Sequence, residues 1–188
     1  MNPIRVGLLG LGTVGRGTFS VLRRNQHEIM RRAGRGIEIA MVAVRDEAKA
    51  RAVVGKDLPL TTECLDVVRH PDIDIVIELI GGYEPARSLV LEAISRGKHV
   101  VTANKAMLAR HGNEIFEAAS ARGVMVAFEG AVAGGVPIIK ALREGLTANR
   151  VEWLAGIING TSNFILSEMR SKGLSFRSEE HTSELQSQ

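Results

Sequence analysis

The chain has little of what several specialised protein classes require. Cys64 is the single cysteine in 188 residues, which excludes an internal disulfide and a cysteine-ligated metal cluster, so we expect a reducing, cytoplasmic setting. The net charge is only +3 and is spread along the chain, which argues against a nucleic-acid partner. Long apolar runs and room for a signal peptide before the first strand are also missing, so we expect no membrane partner. The 45% hydrophobic content is nevertheless enough for a folded core.

A glycine-rich loop follows the first apolar run. Gly10, Gly12 and Gly15 fit the pattern G-x-G-x-x-G between residues 4–9, a predicted strand, and a predicted helix that begins near Thr13. The three glycines serve a tight turn, close approach of the backbone to a pyrophosphate, and close packing of helix on strand. The phosphates would meet free N–H groups at the start of the helix, around Thr13 and Val14. The pattern therefore predicts a dinucleotide site.

Strands and helices alternate over the first two thirds of the chain. Apolar segments predict strands at residues 4–9, 37–44, 73–80, 99–102 and 124–128. Amphipathic segments predict helices at residues 13–33, 61–69, 84–96 and 107–122, the third and fourth closed by glycines. This order indicates an α/β fold with a doubly wound parallel (Rossmann) sheet.

Three predicted strands end in residues suited to a ligand. Arg45 precedes Asp46, and an arginine there favours NADP(H) by neutralising the 2′-phosphate, although NAD(H) is not excluded and Arg45 could be an ordinary exposed residue. Gly81 lets backbone approach a ligand at the sheet edge. Lys105 follows the fourth strand, where it either contacts a substrate oxygen and relays a proton or is a solvated lysine that opens the next helix.

The alternating pattern stops at residues 129–137. This loop of small residues could turn main-chain carbonyls, together with one carboxylate, toward Na⁺ or K⁺, or it could be a tight loop leading to a short helix over residues 137–145.

Residues 151–158 predict a strand of a different sheet. The polar segment 159–163 precedes a helix predicted to begin near Phe164, and it suits either a substrate carboxylate or simple capping by Ser162 or Asn163.

These segments, taken together, resemble homoserine dehydrogenase. The resemblance covers residues 1 to about 176 and includes the glycine loop, Val44-Arg45-Asp46, Glu78-Leu79-Ile80-Gly81-Gly82, Thr102-Ala103-Asn104-Lys105, residues 129–137 and residues 156–163. It implies NAD(P)-dependent interconversion of L-homoserine and L-aspartate 4-semialdehyde, in the pathway to threonine and methionine.

The resemblance also implies roles for individual residues. The glycine loop would hold the pyrophosphate, Arg45 would contact the 2′-phosphate, and Lys105 would bridge cofactor and substrate at the catalytic centre. The implied ligands of a structural Na⁺ are the Glu129 carboxylate and main-chain oxygens of Val132, Gly134 and Val136. The residues implied to lie beside the small-molecule substrate are Asn159, Gly160 and Thr161. A homodimer is implied for the full-length protein.

The domain organisation follows from the same resemblance. We expect an NAD(P)-binding Rossmann domain at residues 1–130 and the truncated start of an α+β substrate and dimerisation domain at residues 131–176. Residues 177–187 match, codon by codon, a reading frame of a common sequencing-library adapter, so we interpret residues 177–188 as a non-native tail. The family's proton-donating lysine lies in a later segment that is absent here, and we therefore expect an inactive fragment.

Two other functions are compatible with a Rossmann domain. One is a related reductase, of the aspartate dehydrogenase or dihydrodipicolinate reductase type, against which the segments 129–137 and 159–163 argue. The other is a cofactor-sensing protein without catalysis. A sensor that regulates transcription would need a DNA-binding segment, and no helix-turn-helix candidate precedes the first strand.

Overall fold

The computed structural model describes residues 2–157, 160–173 and 175, and the chain divides into two compact units, Met1–Arg143 and Glu144–Gln188. The first unit is built on a parallel sheet of six strands in the order β3-β2-β1-β4-β5-β6. The strands are β1 (Ile4–Leu9), β2 (Ile37–Ala43), β3 (Leu60–Thr61), β4 (Ile75–Glu78), β5 (His99–Thr102) and β6 (Val126–Ala127).

Helices connect these strands. They are α1 (Thr13–Arg24), α2 (Gln26–Ala33), α3 (Glu47–Val54), α4 (Cys64–Arg69), α5 (Ala86–Ser95) and α6 (Lys105–Arg122). A 3₁₀ turn (Glu129–Ala131), the short helix α7 (Ile138–Lys140) and a π turn (Ala141–Gly145) follow β6. The compact unit thus continues past residue 130, and the predicted domain boundary there stays a prediction.

The apolar strands are buried because helices cover both faces of the sheet. Leu8 and Leu9 are both 0% exposed but belong to different hydrophobic clusters, as neighbouring residues of a strand must. Leu8 packs in the cluster that contains Phe19 of α1, and Leu9 packs in the one that contains Val90 of α5. A near-continuous apolar run is what a parallel strand covered on two faces requires. The predicted doubly wound parallel sheet is confirmed.

Several element boundaries differ from the sequence predictions. The helix predicted over residues 13–33 is interrupted at Asn25, whose N–H closes α1 on the Val21 carbonyl. The sequence predicts one helix over residues 61–69, but Thr61 pairs with β2, where its carbonyl accepts the N–H of Val44, and α4 starts only at Cys64. The residues from Glu47 to Val54 form a helix that the sequence reading did not anticipate, capped by Asp46.

The second unit contains the helix α8 (Gly160–Lys172). The strand predicted at residues 151–158 is wrong for residues 151–157, which are irregular. A strand needs a neighbour to accept its backbone hydrogen bonds, and in the described part of the chain no strand pairs with this segment. Ile158 lies outside the described residues.

Candidate functional site

The carboxyl ends of four neighbouring strands lie side by side. In the register of the sheet, Leu9 of β1 is opposite Ala43 of β2 on one side and Glu78 of β4 on the other, and Glu78 is opposite Thr102 of β5. The loops that leave these strands therefore meet at one edge. The strand order reverses between β1 and β4, and that is the place where open α/β sheets bind ligands.

The glycine loop is packed tightly on its inner side and open on its outer side. Gly10 has φ +97°, a conformation that favours glycine, and donates its N–H to the Ala43 carbonyl at 2.9 Å. A Cβ on Gly15 would lie 2.3 Å from the Gly10 carbonyl oxygen, so only glycine lets α1 approach the loop this closely. A Cβ on Gly12 would meet nothing within 4 Å. The packing role predicted for Gly15 is confirmed.

A cleft of about 620 Å³ opens beside this loop. Its walls come from the loops after β1, β2 and β4 and from the starts of α3, α4 and α5. The lining residues are Gly10, Leu11, Gly12, Arg16, Ala43, Val44, Arg45, Asp46, Lys49, Ala50, Thr62, Cys64, Leu79, Ile80, Gly81, Glu84 and Pro85. Four predicted cofactor residues, Gly10, Gly12, Arg45 and Gly81, are therefore brought together in one place.

The other predicted cofactor residues do not line the cleft. Thr13 and Val14 form the exposed first turn of α1, and Gly15 is buried beneath the loop. Gly12 occupies the N-cap position of α1, where no side chain caps the helix, and the first turn carries no acidic residue. The N–H groups of such a turn have no acceptors within the helix and, with the helix dipole, favour an anion.

The two carboxylates at the cleft, Asp46 and Glu84, are paired with neighbouring side chains, whereas Arg45 has no such partner in the part of the chain that the structure describes. Asp46 accepts the Lys49 N–H at 3.1 Å as the cap of α3 and lies 3.3 Å from the Lys49 ammonium. The Lys49 N–H is the main cause that lowers the pKa of Asp46. Glu84 is held by Ser88 and Arg87, and the Ser88 hydroxyl contributes most to its lowered pKa. Arg45 is exposed and has no ion pair or side-chain hydrogen bond among the described residues.

Arg16 is a cleft residue that sequence reasoning missed. It follows Gly15 directly, and its Nε donates to the Leu11 carbonyl at 3.3 Å. Helical side chains point toward the amino terminus, so a basic residue one turn after the second glycine returns to the loop. The spacing between Gly12 and Arg16 could therefore have identified Arg16 from the sequence.

Thr62 and Cys64 were also missed. They line the cleft because the turn before α4 meets the sheet edge. Burial, and secondarily the charge of Glu63, raises the pKa of the Cys64 thiol, so Cys64 is protonated at neutral pH and acts as a small apolar wall.

Glu78 ends β4 with its side chain 0% exposed. Its Oε1 accepts the N–H groups of Ile80 and Gly81, each at 3.0 Å, and its Oε2 accepts the Thr102 hydroxyl at 2.5 Å. The carboxylate therefore shapes the loop that forms one wall of the cleft. The N–H of Ile80 is thus not available to a neighbouring strand, and β4 ends at Glu78, before the end of the predicted strand over residues 73–80.

Lys105 is the first residue of α6, directly after the cap residue Asn104. The helix predicted from Met107 thus begins two residues earlier, because the Asn104 side chain accepts the Met107 N–H. Lys105 is exposed and is absent from the cleft lining. Its predicted catalytic role stays a prediction.

The predicted cation ligands lie in the loop between β6 and α7. The Glu129 carboxylate accepts the N–H groups of Ile139 at 2.8 Å and Lys140 at 2.9 Å, and the Val136 carbonyl accepts the Ile138 N–H at 2.8 Å. Each of these oxygens retains a further lone pair for a cation. Within the described residues no cluster of three His, Cys, Asp or Glu side chains could hold a metal, so a site here depends on main-chain oxygens.

The predicted substrate-side residues belong to the second unit. Gly160 is exposed and begins α8. Asn159 and the side chain of Thr161 lie outside the described residues. The prediction that this helix begins near Phe164 with Ser162 or Asn163 as its cap is wrong, because both residues lie inside α8. The sequence signal failed because small polar residues are tolerated in the first turn as well as at the cap.

Comparison with known proteins gives one consistent result. The family model described as "Homoserine dehydrogenase, NAD binding domain" matches residues 10–129, and a second, "Homoserine dehydrogenase", matches residues 137–186. A curated homoserine dehydrogenase from Pseudomonas aeruginosa is 63% identical over 176 residues, which are 94% of this chain and 40% of that protein. A homoserine dehydrogenase from Neisseria gonorrhoeae is 56% identical over 176 residues, again 94% of this chain and 40% of that protein.

A solved structure agrees. The crystal structure of a homoserine dehydrogenase from Thiobacillus denitrificans matches with a TM-score of 0.91 and 68% identity, over 98% of this chain and 43% of that one. The chain thus spans about 40% of the length of the curated relatives it matches. In the part of the chain that the structure describes, no helix is both long and apolar enough for a membrane span. The matches extend across both predicted domains, and the chain belongs to the homoserine dehydrogenase family.

Proposed function

We propose that the amino-terminal unit binds NADP(H) in the cleft beside the glycine loop. The observation that carries this proposal is the open position at Gly12, where a Cβ would meet nothing within 4 Å, at the uncapped start of a helix. A pyrophosphate could approach this backbone and be met by unpaired N–H groups. The volume of about 620 Å³ is within the range of cofactor pockets.

The preference for NADP(H) rests on the hydrogen bonding of Arg45 and Asp46, two residues in the segment between β2 and α3. Asp46 already accepts the Lys49 N–H and pairs with the Lys49 ammonium, so it is poorly placed to accept hydrogen bonds from both ribose hydroxyls. Arg45 lines the cleft and keeps its guanidinium available. A guanidinium matches the geometry of a phosphate, with two parallel hydrogen bonds. These facts support a 2′-phosphate site at Arg45.

The activity that family membership supports is the interconversion of L-homoserine and L-aspartate 4-semialdehyde. Bound NADP(H) supplies or accepts the hydride. The protein must orient two molecules and control one proton. Lys105 leaves the end of β5 at the same sheet edge as the cleft, and we assign it the contact between cofactor and substrate. Gly160 and its neighbours in the second unit are assigned to the substrate.

We also assign a structural role to Na⁺ or K⁺ at the loop after β6. The oxygen donors would be the Glu129 carboxylate and the carbonyls of Val132, Gly134 and Val136. Hard monovalent cations favour such oxygen donors. A bound ion would tie the end of the sheet to α7, since Glu129 already contacts the start of that helix.

Two measurements on this chain test the proposal. Titration with NADPH, followed by the cofactor's fluorescence, should show saturable binding that is tighter than for NADH. An assay of homoserine oxidation should show little or no turnover, because the family's proton-donating lysine is not part of this sequence. Absence of NADPH binding would overturn the cofactor assignment, and full activity would overturn the expectation of an inactive fragment.

The role of Lys105 is tested in a full-length relative that carries this lysine. Replacing it by alanine should reduce kcat far more than it weakens cofactor affinity, since the interaction would be made in the transition state. The matched control is Lys56, an exposed lysine that does not line the cleft, and its counterpart should be replaceable with little effect. A fall in cofactor affinity alone would show that Lys105 is not catalytic.

A further inference from the structure

We propose that Thr102 is a positioning residue: its hydroxyl joins the cleft loop at residues 80–82 to the turn that carries Lys105, so that cofactor and lysine are held as one unit. The proposal rests on the function proposed above. Thr102 is 1% exposed and does not line the cleft. It would act only through its neighbours.

The first half of the connection is between Thr102 and the cleft loop. The Thr102 hydroxyl donates to Glu78 Oε2 at 2.5 Å. The other oxygen of the same carboxylate holds the N–H groups of Ile80 and Gly81. Because the carboxylate is rigid and planar, fixing one oxygen also orients the other. The position of the loop therefore depends on the hydroxyl.

The second half is between Thr102 and the start of α6. The same hydroxyl oxygen accepts the Asn104 N–H at 3.0 Å. The Asn104 side chain then accepts the Met107 N–H at 3.1 Å and donates its amide hydrogen to the Gly82 carbonyl at 2.7 Å. The bond to Gly82 closes a ring that returns to the cleft loop. Lys105 lies between Asn104 and Met107, which are joined by a hydrogen bond at the first turn of α6.

The chemistry of the ring argues against a purely space-filling role. Glu78 and Thr102 are buried, and the strand residues two positions before them, Val76 and Val100, are buried and apolar. A buried carboxylate is costly unless its hydrogen bonds are made, and in the described residues no Lys or Arg pairs with Glu78. An apolar pair would fill this space at lower cost. What the polar ring adds is a fixed geometry between two backbone segments.

The test measures whether the Thr102 hydroxyl carries the effect of NADPH binding from the cleft loop to the start of α6. Hydrogen exchange of the Gly81 and Met107 amides is followed by NMR in this chain with and without saturating NADPH. In the unmodified protein we expect NADPH to slow exchange at both amides by about fivefold or more, the lower end of ordinary coupling between sites. In Thr102→Val, which keeps the shape and removes the hydroxyl, Gly81 should still be slowed. Met107 should be slowed clearly less than in the unmodified chain, because only the bond between Asn104 and Gly82 would still join the two segments.

Thr102→Ser is the matched control. It retains the hydroxyl and should restore the NADPH effect at Met107, which a loss of packing alone would not predict. If Thr102→Val does not fold, Thr102→Ala replaces it, because it removes the same hydroxyl and puts no methyl group in its place. The effect at Met107 should again be smaller than at Gly81.

The outcomes separate the two proposals. If NADPH does not bind the unmodified chain, the proposed function fails and this inference fails with it. If NADPH binds and slows Met107 equally in Thr102→Val and in the unmodified chain, the positioning role of Thr102 is wrong while cofactor binding stands. If NADPH slows Gly81 but never Met107, even in the unmodified chain, the two segments are not coupled and the inference is again overturned.

Discussion

The two halves of the ligand edge are built in opposite ways. Where β1 and β2 end, the site consists of backbone at Gly10 and Gly12 and of an exposed, unpaired Arg45. Where β4 and β5 end, it consists of the buried side chains of Glu78 and Thr102, with every oxygen engaged. The same sheet edge thus contains one half that leaves polar groups available and one half that satisfies them internally.

The difference separates groups that bind from groups that position. A group that is to hold a phosphate must keep its hydrogen-bonding capacity until the ligand arrives, so it lies exposed or at an uncapped helix start. A group that holds the frame must be satisfied at all times, because an unmade bond in the interior is costly. Substitutions in the first half should therefore change affinity, and those in the second half should change stability.

The largest effect is expected at Glu78. Glu78→Ala would leave the buried Thr102 hydroxyl and two partly buried N–H groups without their acceptor, and such a group costs about 1–3 kcal/mol when it is fully buried. We expect the free energy of unfolding, measured with urea, to fall by roughly 3 kcal/mol or more. Glu78→Gln, which keeps one acceptor oxygen, should lose much less. Equal losses in the two variants would contradict the hydrogen-bond explanation.

A smaller effect is expected at Gly15, a buried residue of α1 that packs against the glycine loop. In Gly15→Ala the added Cβ would lie 2.3 Å from the Gly10 carbonyl oxygen, and relieving such a clash costs about 1–3 kcal/mol. Because the loop must move, NADPH affinity should fall as well. The matched control is Gly17→Ala in the same helix, where a Cβ meets nothing within 4 Å, and it should stabilise the chain by about 0.5–1 kcal/mol. Similar behaviour of the two variants would refute the packing argument.

Arg45 should change affinity alone. Hydrogen bonds to a charged group contribute about 1.5–3 kcal/mol, so Arg45→Ala should weaken NADPH binding by roughly 10- to 150-fold. NADH affinity and the urea midpoint should be unchanged, because Arg45 has no ion pair to lose among the described residues. Arg24→Ala, at the far end of α1, is the control of equal charge. A parallel loss of NADH affinity would show that Arg45 does not contact the 2′-phosphate.

The smallest effect is expected at Asp46, which lines the cleft yet is already paired. The Lys49 N–H, above all, lowers the pKa of Asp46 below its ordinary 3.8, so its contribution to stability is complete above pH 3.8 and is lost as the pH falls through the lowered value. Asp46→Ala should therefore lower the thermal midpoint at pH 7 and have a shrinking effect below pH 3.8. NADH affinity should not fall. A clear fall would make Asp46 a ribose acceptor and weaken the case for NADP(H).

Much of the fold could be predicted because it depends on short-range patterns. Apolar runs near Leu8 and Val100 indicated buried strands, and Gly10, Gly12 and Gly15 indicated the turn between the first strand and its helix. The failures have different physical causes. The strand predicted at residues 151–158 depended on a partner strand, which a local pattern does not specify. The helix start near Phe164 was misplaced because small polar residues occur in the first turn of a helix as well as at its cap.

For the site, local chemistry was sufficient to identify Gly12, Arg45 and Gly81, which do line one cleft. The order of residues alone therefore determined the family, the sheet and the loop at its edge. Only the tertiary structure decided that Asp46 caps a helix and leaves Arg45 available, and that Glu78, Thr102 and Asn104 form one ring. Those outcomes depend on strand register, which places Glu78 opposite Thr102 although 24 positions separate them, and register is set by packing of the whole sheet.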